Sequence, residues 1–378
     1  MKIAIIITGL ATGGAEVMLH KLLQNLDRSR FEPTVISLMT KGEIGPRIEA
    51  LGIPVHTLNM RRGLPSPLMI FCLVRLLRQL QPDLVHTWMY HSDLLGGLAA
   101  RLAGCRRVIW GLRHSNLSKT TNKRTTLAVV RLCALLSGWL PTQILSCSHR
   151  AKEVHAAVGY LNEKIHVIPN GFDLSHFAPD VSARASLRAE LGLPHDAVLV
   201  GVVARFDVQK NHFGFVQAAA QLQTQLHRVH FVLAGAGVDG GNLELQEAIA
   251  AQPRLQTHMH LLGRRDDIPR LMAAFDVLAS PSHGEAFPNV LGEAMACGLP
   301  CVVTDAGDSA EIVGSAGRVV AVGDMAALAQ QLQEVLQLTE TQRAALGQQA
   351  RTRVQAEYEI GHVAGLYQAF YERVVVEK

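Results

Sequence analysis

Short apolar runs alternate with longer stretches of helical spacing along the whole chain, and this rhythm sets the expected architecture. Strand-like runs fall near Lys2 to Thr8, Thr34 to Leu38, Val55 to Leu58, Leu84 to Thr87, Arg107 to Gly111, Gln143 to Cys147 and Lys164 to Ile168. The series starts afresh with Ala197 to Val203, His230 to Ala234, His258 to Leu262, Val277 to Ala279, Pro300 to Thr304 and Arg318 to Ala321. Repeated β-α alternation with continuously apolar strands predicts parallel sheets covered by helices on both faces. Pro169-Asn170-Gly171 is a turn signal, and Pro179 and Pro194 punctuate the connection after it. Two doubly wound α/β domains are therefore expected, residues 1–172 and 173–355. A long helical stretch, about Thr341 to Val374, closes the chain, and residues 356–378 are expected to cross back onto the first domain.

Composition supports this and adds one asymmetry. The chain has 378 residues, 48% of them apolar and 5% aromatic, which suits packed α/β layers and excludes a disordered chain. The net charge is +4, but residues 1–174 hold 21 Lys+Arg against 10 Asp+Glu, and the remainder 15 against 22. A basic first half could attract a phosphorylated substrate or an anionic membrane, or could be a plain solvated surface. The six cysteines lie in apolar segments without a zinc pattern and read as small buried residues in a reducing cytoplasm. The apolar run Ile3 to Ile7 meets Thr8-Gly9, so a first strand is expected rather than a signal peptide. No run approaches the ~20 apolar residues of a membrane span.

Ligands of open parallel sheets bind beyond the carboxyl ends of the strands, so the loops there carry the candidate chemistry. The strongest signal is Ser280-Pro-Ser-His-Gly-Glu285-Ala286-Phe287-Pro288-Asn289-Val290-Leu-Gly-Glu293. Pro288 suits a first helical turn and Gly298 its carboxyl end. Glu285 then precedes the helix and Glu293 lies inside it. Backbone N–H groups between them can hold an anion, and two carboxylates can accept from vicinal hydroxyls. Two surface glutamates on a capped helix would give the same spacing. In Gly201-Val-Val-Ala-Arg205-Phe-Asp-Val-Gln-Lys210-Asn211, two cations follow a strand, as a pyrophosphate would require. Thr8 to Glu16, with Gly13-Gly14, reads as a tight turn opening a helix.

Other signals are weaker. Gly235, Gly237 and Gly240 spell Gly-x-Gly-x-x-Gly after a strand, which keeps an NAD(P)-dependent oxidoreductase open. The acidic residue expected near Leu262 is missing, although Arg264 and Arg265 could suit a 2′-phosphate. There is no Asp-x-Asp pair, so no metal site is expected. His86, His91 and His114 cluster near the ends of first-domain strands, with His114 directly after one. Asp207 to Gln209 carries no evident meaning.

Together these segments resemble the family 4 retaining glycosyltransferases of GT-B fold, over nearly the whole chain. Glu285 and Glu293 are similar to the family's Glu-x7-Glu motif, Arg205 and Lys210 to its arginine-lysine pair. Val167 to Asp173 resembles the domain-junction signature, and Leu262 to Ile268 the nucleotide-base loop. The resemblance implies two Rossmann-like domains facing across a cleft, the first taking the acceptor and the second the nucleotide-sugar donor. It implies that Arg205 and Lys210 bind the diphosphate and Glu293 the ribose. Glu285, with the backbone of Ala286, Phe287, Pro288, Asn289 and Val290, positions the sugar. Gly263 and Arg264 touch the base, Gly14 lies near the diphosphate, and His114 contacts the donor sugar.

The expected activity is metal-independent, retaining transfer from a nucleotide-sugar, most often a UDP-sugar, without a further cofactor. The expected acceptor is a glycan or polyprenyl-linked glycan of bacterial cell-surface, lipopolysaccharide or exopolysaccharide synthesis; nucleic acid is not an expected partner. The setting is the cytoplasm, at the inner face of the membrane if the basic residues Arg61, Arg62, Arg106, Arg107, Arg113, Lys119, Lys123 and Arg124 meet anionic lipid. The alternatives are the oxidoreductase and a non-catalytic sugar-binding relative.

Overall fold

The computed structural model describes residues 1–60, 67–118 and 122–376. Arg61, Arg62 and Lys119, singled out above, lie outside them. The expected strands form as β1 (Lys2–Ile7), β2 (Glu32–Ser37), β3 (Val55–Thr57), β4 (Leu84–Trp88), β5 (Val108–Leu112), β6 (Gln143–Ser146) and β7 (Ile165–Val167). A second set follows: β8 (Val198–Val203), β9 (Val229–Ala234), β10 (Met259–Leu261), β11 (Val277–Ser280), β12 (Cys301–Thr304) and β13 (Arg318–Val320). They build two all-parallel sheets, ordered β3-β2-β1-β4-β5-β6-β7 and β10-β9-β8-β11-β12-β13. In each sheet the order reverses beside its first strand, at β1/β4 and at β8/β11. Strands such as β4 and β11 are buried at every position, the consequence of helices on both faces.

Met1–Gly171 and Ile360–Lys378 form one compact unit and Phe172–Glu359 the other. The first has a core on each sheet face. One, around Ile3, Ile5, Leu19 and Leu22, includes Ile360, Tyr367 and Tyr371 of the last helix. The other is built on Ile6, Val85, Val108 and Trp110. The second unit has its own core around Val200, Phe215, Phe231 and Leu328.

The expected single C-terminal helix is instead two, Glu340–Glu357 and Ile360–Val376. The break has a cause in the second unit. The Phe172 N–H donates to the Tyr358 carbonyl at 2.8 Å, and Phe172 forms a parallel bridge with Glu359. Tyr358 leaves helical geometry at φ −128°, and Glu359 pairs with Phe172 where helix would otherwise continue. The cysteines also depart from expectation. Cys133, Cys147, Cys297 and Cys301 are buried, but Cys72 is exposed and Cys105 half-exposed, because both lie on outer helix surfaces or ends.

Candidate functional site

The loops after β8 and β11, neighbours at the reversal of strand order, meet in the second unit. After β8 the chain turns through Arg205 to Asn211. Asp207 accepts from the Gln209 N–H at 2.9 Å and pairs with Arg205 at 3.2 Å. Asp207 is therefore the residue that shapes this turn and aims Arg205, a role the sequence did not suggest. Asn211, at φ 52°, caps the helix His212–Gln223 by accepting from the Gly214 N–H at 3.1 Å. Its amide also donates to the Pro281 carbonyl at 3.2 Å, and the His283 N–H donates to the Gln209 carbonyl at 2.7 Å. The two loops are thus stitched together by backbone as well as side chain.

That stitching brings Lys210 onto Glu285 as an ion pair, both side chains largely buried. Ser282 donates to the same Glu285 oxygen at 2.8 Å. Below, Thr304 at the end of β12 donates to the Ser282 carbonyl at 2.6 Å. The Asp308 N–H donates to the Ala286 carbonyl at 3.1 Å, and Gly307 sits at φ 62° where a Cβ would overlap the Glu285 carbonyl. Only glycine fits that close approach. Ser282, Thr304 and Gly307 were not singled out from sequence.

The helix after Glu285 runs Asn289–Ala296, with Pro288 as its N-cap rather than its first residue. Pro288 has no side chain that could cap it, and its leading N–H groups follow directly on the Glu285 loop, an arrangement that suits an anion. Glu293 lies one turn inside, half-buried. Gly298, at φ 73°, closes the helix, with the Leu299 N–H donating to Ala294 at 3.0 Å. A Cβ at Gly292 would overlap the Phe172 ring, which stacks on Phe287 with centroids 6.2 Å apart. The Phe172 of the junction signature thus has a definite job: it seats the Glu285–Glu293 helix.

Gly263, at φ 67°, accepts from the Gly235 N–H at 2.8 Å and donates to Val238 at 2.7 Å, tying the loops after β9 and β10. Arg264 is exposed beside it. Arg265 is engaged elsewhere: with Arg270 it clamps Glu190 and Asp267, and the two guanidinium groups hold the Asp267 carboxyl well below the usual carboxylate range. It is a structural network, not a 2′-phosphate site. Nor do Gly235, Gly237 and Gly240 sit where a dinucleotide fingerprint belongs. They follow β9, the second strand of the sheet, not its first strand β8. Gly235 is explained by contact, since a Cβ there would overlap the Ala204 carbonyl.

In the first unit, Gly13 caps the helix Gly14–Gln24, which follows β1. His114 lies half-buried two residues past β5. His86 is different: it lies inside β4, fully buried, bonded through Nδ1 to the Tyr371 hydroxyl at 2.9 Å, and burial holds its pKa well down. It is a core residue, and His91 sits just past β4 in the first turn of the helix Tyr90–Ala103. Arg113 also leaves the surface set. Its guanidinium stacks 3.6 Å from the Trp88 ring and donates to Asn170 at 3.1 Å and Tyr367 at 2.5 Å. Arg106 and Arg107 precede β5, at the end of the sheet away from the ligand loops. Among the described residues no group of three His, Cys, Asp or Glu side chains could hold a metal ion.

Residues 12–176 match the glycosyltransferase family 4 model and residues 183–353 the glycosyl transferases group 1 model. A Bacillus subtilis protein named as glycosyltransferase EpsF is 31% identical over 79% of this chain and 78% of its own. The chain belongs to the family 4 glycosyltransferases. An Escherichia coli relative, the UDP-Gal:α-D-GlcNAc-diphosphoundecaprenol α-1,3-galactosyltransferase, is 30% identical over 62% of this glycosyltransferase and 61% of that protein. The Anabaena protein Alr3699/HepE, solved with UDP-glucose, superposes with a TM-score of 0.83 at 26% identity, covering 99% and 100% of the two chains. The architecture of two parallel-sheet Rossmann-like units is therefore the GT-B fold.

Proposed function

We propose that the glycosyltransferase moves a sugar, with retention and without a metal ion, from a UDP-sugar to a polyprenyl-diphosphate-linked or free glycan. The observation that carries this is the convergence of Lys210, Glu285 and a helix start at the β8/β11 reversal. Lys210 spends one of its three N–H donors on Glu285, so it can also donate to a phosphate oxygen. Arg205 adds the second cation, and the helix start supplies neutralisation that would otherwise call for a cation. Glu293 takes the ribose hydroxyls, Glu285 and the backbone of Ala286 to Val290 the sugar, and Gly263 with Arg264 the base. Gly14 and His114 serve donor and acceptor from the first unit. The relatives named above support the donor and acceptor classes: one binds UDP-glucose, the other takes UDP-Gal and a diphosphoundecaprenol-linked sugar and makes an α-linkage.

In the step itself the bond from the anomeric carbon to the diphosphate oxygen breaks, and the acceptor oxygen bonds to that carbon on the same face. The acceptor proton passes to the departing phosphate. Lys210, Arg205 and the helix start stabilise the charge that develops there, so catalysis is positioning and electrostatics. Glu293→Ala and Lys210→Ala are expected to abolish transfer while circular dichroism and a cooperative melt stay native-like; full activity in both variants overturns the assignment. A UDP-sugar at 100 times its dissociation constant should stabilise the wild type by roughly 2.7 kcal/mol in a thermal shift.

A further inference from the structure

We infer that one helical face of the first unit docks on an anionic lipid bilayer. This builds on the lipid-linked acceptor reading but names a surface that reading does not require. Three helices, Pro67–Leu80, Tyr90–Ala103 and Arg124–Leu136, pack side by side over the sheet face that holds Ile6, Val85 and Trp110. In the first of them Leu73, Val74 and Leu77 point inward, while Leu68, Phe71, Arg75 and Arg78 follow at helical spacing on the outside. In the third, Val130, Cys133 and Ala134 are buried, and Arg124, Arg131, Leu132 and Leu135 form the outer stripe, continued by Trp139.

Two arginines join the three helices into one surface. Arg78 donates to the Leu102 carbonyl at 3.0 Å. Arg101, the residue before Leu102, donates to the Leu140 carbonyl at 2.9 Å and the Trp139 carbonyl at 3.3 Å. Exposed Leu102 thus lies between the first helix and Trp139. Leu135 is 84% and Trp139 64% exposed, far from what a solvated face requires of such side chains.

The charge on this region identifies the occupant. The three helices carry Arg75, Arg78, Arg101, Arg124 and Arg131, and their one carboxylate, Asp93, is buried. Arginine, leucine and tryptophan interspersed along helices that expose no carboxylate is the chemistry of a headgroup interface: cations meet lipid phosphates while shallow apolar side chains enter the acyl boundary. The surface is spread over three helices, which fits a plane. No described helix is long and apolar enough to cross the membrane, so the contact is peripheral.

The test uses the full chain and vesicles of phosphatidylglycerol and phosphatidylcholine, with no donor present. Trp88 and Trp110 are fully buried, so of the three tryptophans Trp139 alone reports contact with lipid. On anionic vesicles its emission is expected to shift to the blue and the protein to co-sediment, less so at high salt and not with phosphatidylcholine alone. Each arginine near such a surface is worth roughly fivefold in partitioning, so R75Q/R78Q should bind more than tenfold more weakly. L135S/W139S should lose sedimentation, while R254Q, an exposed arginine of the second unit, should bind like wild type. Melting temperatures check that the variants fold. Unchanged binding in both double variants overturns the assignment. So does failure of the wild type to bind, or a wild-type dimer that L135S/W139S dissociates, since the face would then join two copies. Vesicle binding by a protein that turns over no donor would leave this surface standing and count against the transfer reading alone.

Discussion

Asp93 lies fully buried beneath the first unit's sheet. One carboxylate oxygen accepts from the Thr87 hydroxyl at 2.6 Å and the Gly111 N–H at 3.1 Å, and the other has no partner among the described residues. Burial pushes its pKa up to about 8, against the lowering pull of Thr87, Gly111 and Arg113. The folded chain therefore holds a proton that the unfolded chain has released above the ordinary carboxyl range, and stability falls as pH rises towards 8. Histidines complicate the lower part of that window. His155 and His230, held down to about 4 mainly by burial, make stability rise between there and the ordinary imidazole range. Between pH 6.5 and 8 the Asp93 contribution stands alone among these groups, at about 1 kcal/mol per pH unit. Asp93→Asn should flatten that fall in a denaturant-melt series; parallel curves for the two proteins would refute it. None of this was legible in the sequence, where Asp93 is one acid among many. For Glu285, Glu293, Arg205 and Lys210 the place in the fold was legible, since each follows a strand or lies at a helix start, and Lys210 does meet Glu285. Gly307, Thr304 and Ser282, which hold the Glu285 loop, are common residue types whose partners lie on a different strand, so no local pattern marks them.

At the scale of elements, the strands could be read because burial on both faces writes itself as continuous apolar runs bounded by turn residues. The C-terminal break could not, since Tyr358-Glu359 contains neither Gly nor Pro and its cause is the distant backbone of Phe172. The Gly-x-Gly-x-x-Gly run kept a dinucleotide alternative open for a related reason: Gly235 serves a close contact with the Ala204 backbone after the second strand of the sheet, which no local pattern shows. Phe172 links these facts. It ends one helix, and its ring fills the space that Gly292 leaves on the helix Asn289–Ala296. Phe172→Ala should destabilise by about 3–5 kcal/mol, as a fully buried aromatic does, and weaken donor binding through a loosened Glu285–Glu293 helix. Gly292→Ala should show the second effect with less of the first if Phe172 can shift. Unfolding melts and donor titration on the same samples separate the two, and wild-type donor affinity in both variants would rule out the seating role.

The chain enters the second unit at Phe172 and returns to the first at Ile360, so the first unit is made of two segments distant in sequence. The return helix is not a peripheral strap. Ile360, Val363, Tyr367, Phe370, Tyr371 and Val374 are buried in the core that also holds β1, and Tyr371 and Tyr367 bond His86 and Arg113. At roughly 1.5–3 kcal/mol per buried side chain, these six contribute as much as the whole net stability of an ordinary domain. The second unit has its own core among Val200, Phe215, Phe231 and their neighbours. Ending the chain at Glu359 should therefore unfold the first unit and spare the second. Two readouts check this. Emission from Trp88, fully buried beside His86, should shift to the red, and amide hydrogens of β1 and β4 should exchange freely while those of β8 and β9 stay protected. The shortened chain should still gain thermal stability from a UDP-sugar if the second unit alone holds the nucleotide, yet transfer nothing. Loss of both signals together would show instead that the second unit cannot fold or bind without the first, and that donor recognition belongs to the whole molecule.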